Sequence, residues 1–229
     1  MNKVIITGDG SSTLYVPELN EHFHSVFGAV TESQHVFIQN GLQQLQKDTV
    51  AVFEIGFGTG LNALLACLYA RRHNRNLVYY TIDNVTLENH IVTSLNYPGF
   101  MSTEDSANDI FTSLHNAEWE HMTKITPHFT LYKIKNDMTS YKPNFRYDLI
   151  FFDAFAPEKQ PEMWTKEIFE TLYNPLYPGG LLVTYCAKGK IKRFLKETGF
   201  RVEVHPGPPG KRHMVRARKD DKNSPSQNP

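Results

Sequence analysis

Four carboxylates lie at or directly after apolar runs of the sequence, where they could do chemistry together. Glu54 and Asp83 lie at the ends of the runs TVAVFEI and NLVYYTID, Asp137 follows FTLYKIK, and Asp153 ends YDLIFFD. Carboxylates accept hydrogen bonds from hydroxyls and amines, and a well-placed one can also take a proton. Because the carboxyl ends of parallel strands meet at one edge of an α/β sheet, we expect these four groups to line one ligand site.

The first apolar run continues into a glycine-rich turn, FEIGFGTGLN, that opens a helix. Glycines let the backbone approach a nucleotide closely, and the helix N-terminus adds partial positive charge. One register, starting at Gly58, fits a dinucleotide fingerprint with Asp83 on a ribose. The other, starting at Glu54, is the E-x-G-x-G-x-G pattern of S-adenosylmethionine (SAM) enzymes. We favour the second register, because Gly56 leaves the strand directly and an acidic residue precedes it.

Asn136 and Asp137 follow the third parallel strand, where a nucleotide in such a crevice presents its adenine edge. A carboxylate there would accept from the exocyclic amine, although Asn and Asp are also common as turn residues and helix caps. The predicted cofactor-binding residues are Glu54, Gly56, Phe57, Gly58, Gly60, Asn62, Asp83, Asn136 and Asp137.

The elements that must position these residues alternate between strand and helix, which predicts a mostly parallel α/β sheet with helices on both faces. A closing hairpin around PGPPG would add an antiparallel strand, so we expect seven strands. The predicted strands are 49–56, 76–83, 129–135, 147–153, 180–186, 200–204 and 212–218, and the predicted helices are 60–73, 86–96, 161–176 and 188–199.

Three segments stand outside this alternation. Residues 1–48 precede the first parallel strand and are expected to fold over the site, with a helix from Glu32 that Thr31 caps. Residues 97–128 form an acidic insertion, and the tail 220–229 lacks apolar residues besides proline, which predicts disorder. The catalytic domain would therefore span 49–219.

Composition places the chain among ordinary globular proteins, with 229 residues, 40% hydrophobic content and a formal net charge of zero. The start resembles no signal peptide and no run approaches the length of a membrane span, so we expect a cytoplasmic protein. We also expect a monomer. The two cysteines lack metal spacing and are expected to be reduced and structural. His22, His24 and His35 have no Cys or carboxylate completing a ligand set, so we expect no metal.

Basic residues are concentrated at one end of the chain. Residues 186–219 contain eleven Lys and Arg against two Glu. Such a stretch suits a polyanion, since neutralised phosphates dominate nucleic-acid affinity, but it would equally suit a solvated helix with a charged tail.

Several stretches together resemble one known family. They are DGSSTLYVPELNEHFHSVFGAVTESQHVF, FEIGFGTGLNALL, DLIFFDAFAPEKQPEMWT and GPPGKRHMVRA, spread from about residue 9 to residue 219. They resemble the methyltransferase domain of the tRNA-modifying MnmC proteins and its free-standing form, MnmD. The patterns D-x-F-x-P-x-x-x-P-x-M-W and E-H-x-H-S-x-x-G-A…E-S-x-H-V-F are the specific ones, whereas the glycine motif alone is common.

The resemblance implies a Rossmann-like, class I SAM-dependent fold and an activity on tRNA. The implied reaction methylates the aminomethyl group of a wobble uridine, giving 5-methylaminomethyl(-2-thio)uridine. In fused members a flavin-dependent oxidase domain exposes that amine. The printed sequence shows no counterpart of it and no FAD is expected here, so another enzyme would supply the amine or the organism would make it directly.

The resemblance also assigns roles around the loop that begins at Asp153. An amine attacks only as its free base, so Asp153 is the predicted catalytic base and orienting group; the alternative is a cap or a partner of the SAM ammonium. The predicted substrate-binding residues are Tyr15, Glu32, Phe155, Pro157, Lys211 and Arg212. Phe155 would face the uracil and Pro157 would fix the loop. Lys211 and Arg212 would contact tRNA phosphates, with a solvated hairpin as the alternative.

Glu32 and Tyr15 have a second interpretation, in which they cover the amino-acid end of the cofactor or simply pack and cap. Two rival functions also remain. A spermidine-synthase-like aminopropyl transferase shares the crevice and the Y-D-x-I-x-x-D strand, but it needs further acidic residues, and DAFAPEKQ offers only Glu158. A catalytically idle tRNA-binding module is disfavoured by the intact set of carboxylates.

Overall fold

The computed structural model describes residues 2–101 and 106–221. The strands are β1 (Lys3–Ile6), β2 (Ser12–Val16), β3 (Glu21–His22), β4 (Thr49–Ile55), β5 (Asn76–Asp83), β6 (Met122–Thr126), β7 (Phe129–Lys135), β8 (Tyr147–Phe152), β9 (Leu176–Thr184), β10 (Phe200–Pro206) and β11 (His213–Lys219). The helices are α1 (Ala29–Ser33), α2 (Leu61–Arg72), α3 (Asn89–Val92), α4 (Tyr97–Phe100), α5 (Ala107–Asn116), α6 (Lys166–Tyr173) and α7 (Gly189–Thr198). A π-helix runs over Gln34–Gln39, and 3₁₀ turns lie at Leu42–Gln44 and Pro161–Met163.

The main sheet has the strand order β10-β11-β9-β8-β4-β5-β7-β6. Its five central strands, β9 to β7, are parallel, whereas the β10–β11 hairpin and β6 pair antiparallel at the two edges. The predicted mostly parallel α/β fold with an antiparallel hairpin is confirmed. The sheet has one strand more than the seven predicted, because MTKIT in β6 is half polar and packs only one face, so its apolar signal is weak.

Apolar side chains fill both faces of this sheet. On one face the π-helix, α2 and α5 pack over Val52, Tyr79 and Phe151, and on the other α6 and α7 pack over Phe53, Ile150 and Phe152. All six residues of β8 are buried. The chain moves outward from β4 through β5 and β7, then returns to β8 on the other side of β4. The switch point therefore lies between the ends of β4 and β8, where ligands bind in open α/β sheets.

The N-terminal segment forms its own sheet, β1-β2-β3, followed by α1. The predicted start of this helix is wrong. It begins at Ala29 after Gly28, and Thr31 is not its cap, because the Thr31 N–H and hydroxyl both donate to Asp9 at 2.9 and 2.8 Å. Asp9, which is distant in sequence, therefore binds the Thr31 hydroxyl that the local pattern predicts as the helix cap.

The helix predicted over 86–96 is also wrong in extent, since only one turn forms, α3. Asn96 instead binds the N-terminal sheet: its Oδ1 accepts from the Ser12 N–H at 2.7 Å and its own N–H donates to the Ser12 hydroxyl at 3.0 Å. The helix predicted over 161–176 begins later, at Lys166, where the Thr165 hydroxyl accepts from the Ile168 N–H.

Some expectations lie outside the described residues, namely Glu104 and Asp105 of the acidic insertion and the tail beyond residue 221. The division of the chain at residues 48 and 219 stays a prediction. Across 2–101 and 106–221, none of the helices has the length and apolar content needed to cross a bilayer. Cys67 and Cys186 are buried and free of disulfides.

Candidate active site

A cleft of about 800 Å³ lies over the carboxyl ends of β4, β5, β7 and β8. Seven of the nine predicted cofactor-binding residues line it: Gly56, Phe57, Gly58, Asn62, Asp83, Asn136 and Asp137. The structure therefore brings together side chains from three separate strand ends, as the parallel arrangement predicts.

The glycine-rich turn forms the floor of this cleft. Gly56 and Gly58 have φ angles of 94° and 50°, which side-chain-bearing residues rarely adopt. A Cβ on Gly56 would lie 3.3 Å from the Asp153 carbonyl, and one on Gly58 would lie 2.8 Å from the Phe23 ring. The absent side chains let the end of β8 and the N-terminal segment close on the turn.

Asp83 ties β5 to the glycine turn. Its carboxylate accepts the N–H of Gly58 at 2.9 Å and that of Val85 at 2.8 Å. Burial raises the pKa of Asp83, although these N–H groups favour the charged form. The carboxylate is thus held rigidly at the cleft wall.

Asn136 and Asp137 line the cleft next to Asp83, whose carbonyl accepts from the Asn136 N–H at 3.3 Å. One oxygen of Asp137, Oδ1, accepts from the Thr139 N–H at 2.8 Å and from its hydroxyl at 2.7 Å. The turn role considered as an alternative is therefore real for this oxygen. The Asp137 carboxylate has a second oxygen with which to meet a ligand.

Glu54 and Gly60 do not line the cleft. Glu54 is fully buried beneath it, beside Thr81 of β5 in the strand register. Neither of its carboxylate oxygens has a hydrogen-bond partner among the described residues. Burial, reinforced by the negative charge of Asp153, raises the pKa of Glu54 well above its usual value. Gly60 directly precedes α2. A contact of either residue with the cofactor stays a prediction.

The charge of the cleft lining distinguishes the two cofactors considered for the glycine-rich turn, a dinucleotide and SAM. Three carboxylates line the cleft, those of Asp83, Asp137 and Asp153, and its lining contains no Lys or Arg. A pyrophosphate would place two negative charges in this field, whereas SAM carries a positive sulfonium and ammonium. The residues present therefore fit SAM, with Asp83 and Asp137 as acceptors for its hydroxyls and amine.

Asp153 lies at the border between this cleft and a second cavity of about 720 Å³. Its Oδ2 accepts from the Asn62 side-chain amide at 2.8 Å, and its N–H donates to the Ile55 carbonyl at 3.2 Å. Burial, and next the negative charge of Glu32, raise the pKa of Asp153 to about 7. A carboxyl group of that pKa changes its protonation near neutral pH, as a general base must.

The second cavity is walled by the N-terminal segment and the C-terminal hairpin. Phe23, His24 and Phe155 line both cavities, and Glu32 and Lys211 line only the second. The Phe23 and Phe155 rings meet edge to face with centroids 5.0 Å apart. The two cavities thus share one boundary, formed by two aromatic rings and the Asp153 carboxylate.

Comparison with known proteins gives the family. A model described as S-adenosyl-L-methionine-dependent methyltransferase matches residues 102–220. The chain belongs to this methyltransferase family. S-adenosyl-L-methionine is therefore its cofactor, and the resemblance drawn from the motifs is confirmed.

The methyltransferase is similar to curated proteins that are longer than this chain. It is 31% identical over 214 residues to the tRNA 5-methylaminomethyl-2-thiouridine biosynthesis bifunctional protein MnmC of Cupriavidus necator, covering 88% of this chain and 32% of that protein. The chain spans about a third of the length of the curated relatives it matches.

Two solved structures share its fold. The crystal structure of MNMC2 from Aquifex aeolicus has a TM-score of 0.80 at 22% identity, covering 96% of this chain and 70% of that one. Spermidine synthase from Thermotoga maritima has a TM-score of 0.54 at 12% identity, with the same two coverages.

In the methyltransferase, hydrogen bonds within the loop after Asp153 explain the motif D-x-F-x-P-x-x-x-P-x-M-W. The Trp164 indole N–H donates to the Phe155 carbonyl at 2.7 Å, and the Phe155 N–H donates to Gln160 Oε1 at 3.2 Å. Phe155 is thereby fixed from both sides. Pro157 lies in the turn between these contacts and Pro161 starts a 3₁₀ turn, which brings Trp164 back under the loop. Pro157 lines neither cavity, so its predicted contribution can only be indirect.

Tyr15 and Arg212 also line neither cavity. The Tyr15 hydroxyl donates to Asn20 at 2.8 Å and its ring lies 4.8 Å from that of His22, within the N-terminal sheet. Arg212 is exposed on the hairpin. The predicted substrate contacts of both residues stay predictions.

Several basic residues of the C-terminal segment form ion pairs with carboxylates of the same chain. Lys188 pairs with Glu158, Arg216 pairs with Glu203 at 2.8 Å, and Lys211 pairs with Glu32. The solvated-surface alternative therefore describes only part of this segment, and Arg212 next to Lys211 is exposed at the hairpin tip.

Sequence reasoning missed two contributors to the site. Tyr185 follows β9 and lines the second cavity. His24, considered only for metal binding and packing, lines both cavities. The Tyr97 hydroxyl donates to Thr59 Oγ1 at 3.1 Å, and the Thr59 hydroxyl lies 2.8 Å from His24 Nε2. Burial lowers the pKa of His24 to about 4, which favours the neutral ring, and the tautomer decides whether Nε2 accepts from the Thr59 hydroxyl or donates to it. The spacing of E-H-x-H-S within the family-like segment was the available signal.

Proposed function

We propose that this methyltransferase transfers a methyl group to the aminomethyl nitrogen of a wobble uridine in tRNA, forming 5-methylaminomethyluridine or its 2-thio form. The observation that carries the proposal is the position of Asp153, which faces both a cleft suited to SAM and a second, adjoining cavity. An acceptor in the second cavity would meet the methyl group across the boundary that Asp153 shares with Phe23 and Phe155.

The residues around Asp153 suit a primary amine. SAM supplies a methyl group on a sulfonium, so the S–C bond breaks as the N–C bond forms and its electrons stay on sulfur. Asp153 accepts the proton that the nitrogen must lose, either directly or through water, and its hydrogen bond to the amine aims the lone pair. Asn62 holds the Asp153 carboxylate at 2.8 Å and keeps it oriented.

The second cavity suits a base extruded from a loop of RNA. Its volume of about 720 Å³ and the aromatic residues Phe23 and Phe155 provide space and ring faces for a pyrimidine. Arg212 and His213, exposed at the neighbouring hairpin, would meet the phosphates beside it. The names of the relatives supply the substrate: they are tRNA 5-methylaminomethyl-2-thiouridine biosynthesis proteins.

An aminopropyl transfer to a polyamine is less well supported. A polyamine needs several carboxylates along its length, and Glu158, the extra acidic residue of the loop, is exposed, paired with Lys188 and outside both cavities. Of the three carboxylates that line the second cavity, those of Glu21, Glu32 and Asp153, the Glu32 carboxylate is already paired with Lys211. The likeness to spermidine synthase, at 12% identity, shows the fold alone.

The deciding experiment combines the protein with labelled SAM and bulk tRNA from cells that lack this modification. Digestion and mass spectrometry of nucleosides should show label in 5-methylaminomethyl(-2-thio)uridine. The matched control is tRNA whose wobble uridine has no aminomethyl group, which should stay unlabelled. Label in another nucleoside, or none from a protein that binds SAM, would reject the proposal. The cytoplasmic location and monomeric state stay predictions.

A further inference from the structure

The side chain of Lys211 enters the second cavity instead of pointing into solvent. Its ammonium pairs with the Glu32 carboxylate and lies 3.9 Å from the centre of the Tyr185 ring. The Lys211 side chain is 31% exposed and that of Glu32 only 6%. A lysine that the sequence assigns to tRNA phosphates is thus held by a carboxylate and an aromatic face.

The two groups that hold Lys211 are themselves fixed. The second oxygen of Glu32 accepts the Ser25 N–H at 2.8 Å, and the Tyr185 hydroxyl donates to the Ala154 carbonyl at 2.9 Å. A buried carboxylate without a cation is costly, so a positive partner stabilises the charged form of Glu32. Asp153 lines the same cavity. A carboxylate, a ring face and a second carboxylate therefore surround one place suited to an ammonium ion.

Lys211 presents a primary ammonium on a methylene group, and so does the aminomethyl group of the proposed acceptor. We propose that Glu32 and Tyr185, together with Asp153, form the binding site for the aminomethyl ammonium, and that Lys211 occupies this site until the substrate displaces it. The inference rests on the proposed function and names the residues that select its amine. One cation replaces another, so Glu32 is never left unpaired, and the released Lys211 becomes available to a phosphate.

This exchange defines the fate of the proton. The substrate nitrogen enters as an ammonium, Glu32 keeps its charge, and Asp153 takes the proton before the N–C bond forms. The titratable groups that line this cavity are Glu21, His22, His24, Glu32, Asp153, Tyr185 and Lys211. The negative charge of Glu32 raises the pKa of Asp153, so removing that charge shifts the ionisation of Asp153 to lower pH.

The test compares two tRNAs that differ only at the wobble uridine, one with the aminomethyl group and one without it. Both are titrated against protein saturated with S-adenosylhomocysteine, so that no turnover occurs. Phosphate contacts of residues other than Lys211 contribute equally to both, so the ratio of the two dissociation constants reports the amine site together with the release of Lys211. The wild-type protein should prefer the aminomethyl tRNA.

The preference is the dissociation constant of the tRNA without the aminomethyl group divided by that of the aminomethyl tRNA. Substitutions of Glu32 and Lys211 should change this ratio in opposite directions. Glu32→Gln should reduce it about tenfold or more, because a charged partner of the ammonium is lost. Lys211→Met should increase it, because the internal competitor is gone. Tyr185→Phe should keep it and Tyr185→Leu should lower it, since the ring face is the contact. Lys192→Met on α7 is the matched control and should leave it unchanged.

A second readout separates amine binding from a structural role. For Glu32→Gln the acidic limb of kcat/KM should move to lower pH, while S-adenosylhomocysteine affinity stays as in the wild type. The proposal is overturned if the wild type binds both tRNAs equally or if Glu32→Gln preserves the preference. Methylation that continues with an unchanged ratio would reject this inference alone; absence of any methylated nucleoside would reject the proposed function with it.

Discussion

Asp153→Asn is the substitution that most directly tests the chemistry at the border of the two cavities. Asparagine has the size of aspartate and keeps an oxygen that can accept from the Asn62 amide, now 2.8 Å from Asp153 Oδ2. The fold and the loop should therefore persist while the negative charge and the basic site disappear.

The size of the effect follows from the raised pKa of Asp153, about 7. At neutral pH about half of the molecules carry the base, and losing general-base assistance costs a factor of about 10²–10⁴ in rate. That corresponds to about 3–5 kcal/mol of activation free energy. The wild-type rate should fall as the pH drops below 7, because Asp153 becomes protonated. The variant should lack this transition near pH 7, and its rate should rise only at the higher pH at which the amine itself loses its proton.

The same pKa predicts a stability change of known sign. Asp153 has a pKa of about 7 in the folded protein against an ordinary value of 3.8. Between these values the folded state binds the proton more tightly than the unfolded one, so stability falls as the pH rises from about 4 through 7. Asp153→Asn avoids this penalty. The variant should melt at a higher temperature than the wild type at pH 8, and the difference should vanish near pH 4.

Single-turnover methylation of aminomethyl tRNA, followed by mass spectrometry over a pH series, measures the rate. SAM affinity is measured in parallel by calorimetry and should stay near that of the wild type. The control is Asp137→Asn on the same sheet edge, which should weaken SAM without changing the acidic limb. A near-normal rate for Asp153→Asn at pH 7 would refute the base and leave proximity as the explanation; a matching loss of SAM affinity would instead place Asp153 on the SAM ammonium.

Three further substitutions test other parts of the site. Asp83→Ala should weaken SAM binding by about 1.5–3 kcal/mol in calorimetry, because a charge-assisted hydrogen bond is lost, and unchanged affinity would remove Asp83 from the cofactor site. Trp164→Phe removes the 2.7 Å bond to the Phe155 carbonyl and should lower kcat about tenfold with SAM affinity intact, while a normal kcat would mean that Phe155 needs no such support. Arg212→Glu should raise the KM for tRNA and flatten its salt dependence, and Lys192→Glu should not; equal effects would indicate a general charge response.

The cofactor cleft was predictable because its parts are local and periodic. Parallel strands end at one edge, so a carboxylate at the end of each apolar run must lie near the others, and Asp83, Asp137 and Asp153 do. Glycines at positive φ directly after β4 follow from the same pattern. Glu54 is the exception to this reasoning. Side chains alternate along a strand, and the Glu54 side chain lies beneath the cleft and does not line it.

The second cavity was not predictable because its contacts join residues far apart in the chain. Glu32 and Lys211 are 179 residues apart, and no local pattern pairs them. Thr31 and Asn96 left their predicted helical roles for the same reason: each found a partner in the N-terminal segment. Local propensity was outweighed by tertiary hydrogen bonds whose geometry the sequence alone does not reveal.

The C-terminal hairpin has a consequence for the making of the protein. β11 inserts between β9 and β10, so β10 joins the sheet only through a strand made after it. The hairpin tip then closes on the N-terminal segment, where Phe27 covers Gly210 and His35 lies 2.9 Å from the Pro206 carbonyl. The residues that line the cofactor cleft all precede the hairpin in the chain, whereas the second cavity needs Lys211 of the hairpin. We therefore expect the second cavity to form only after the hairpin has joined the sheet.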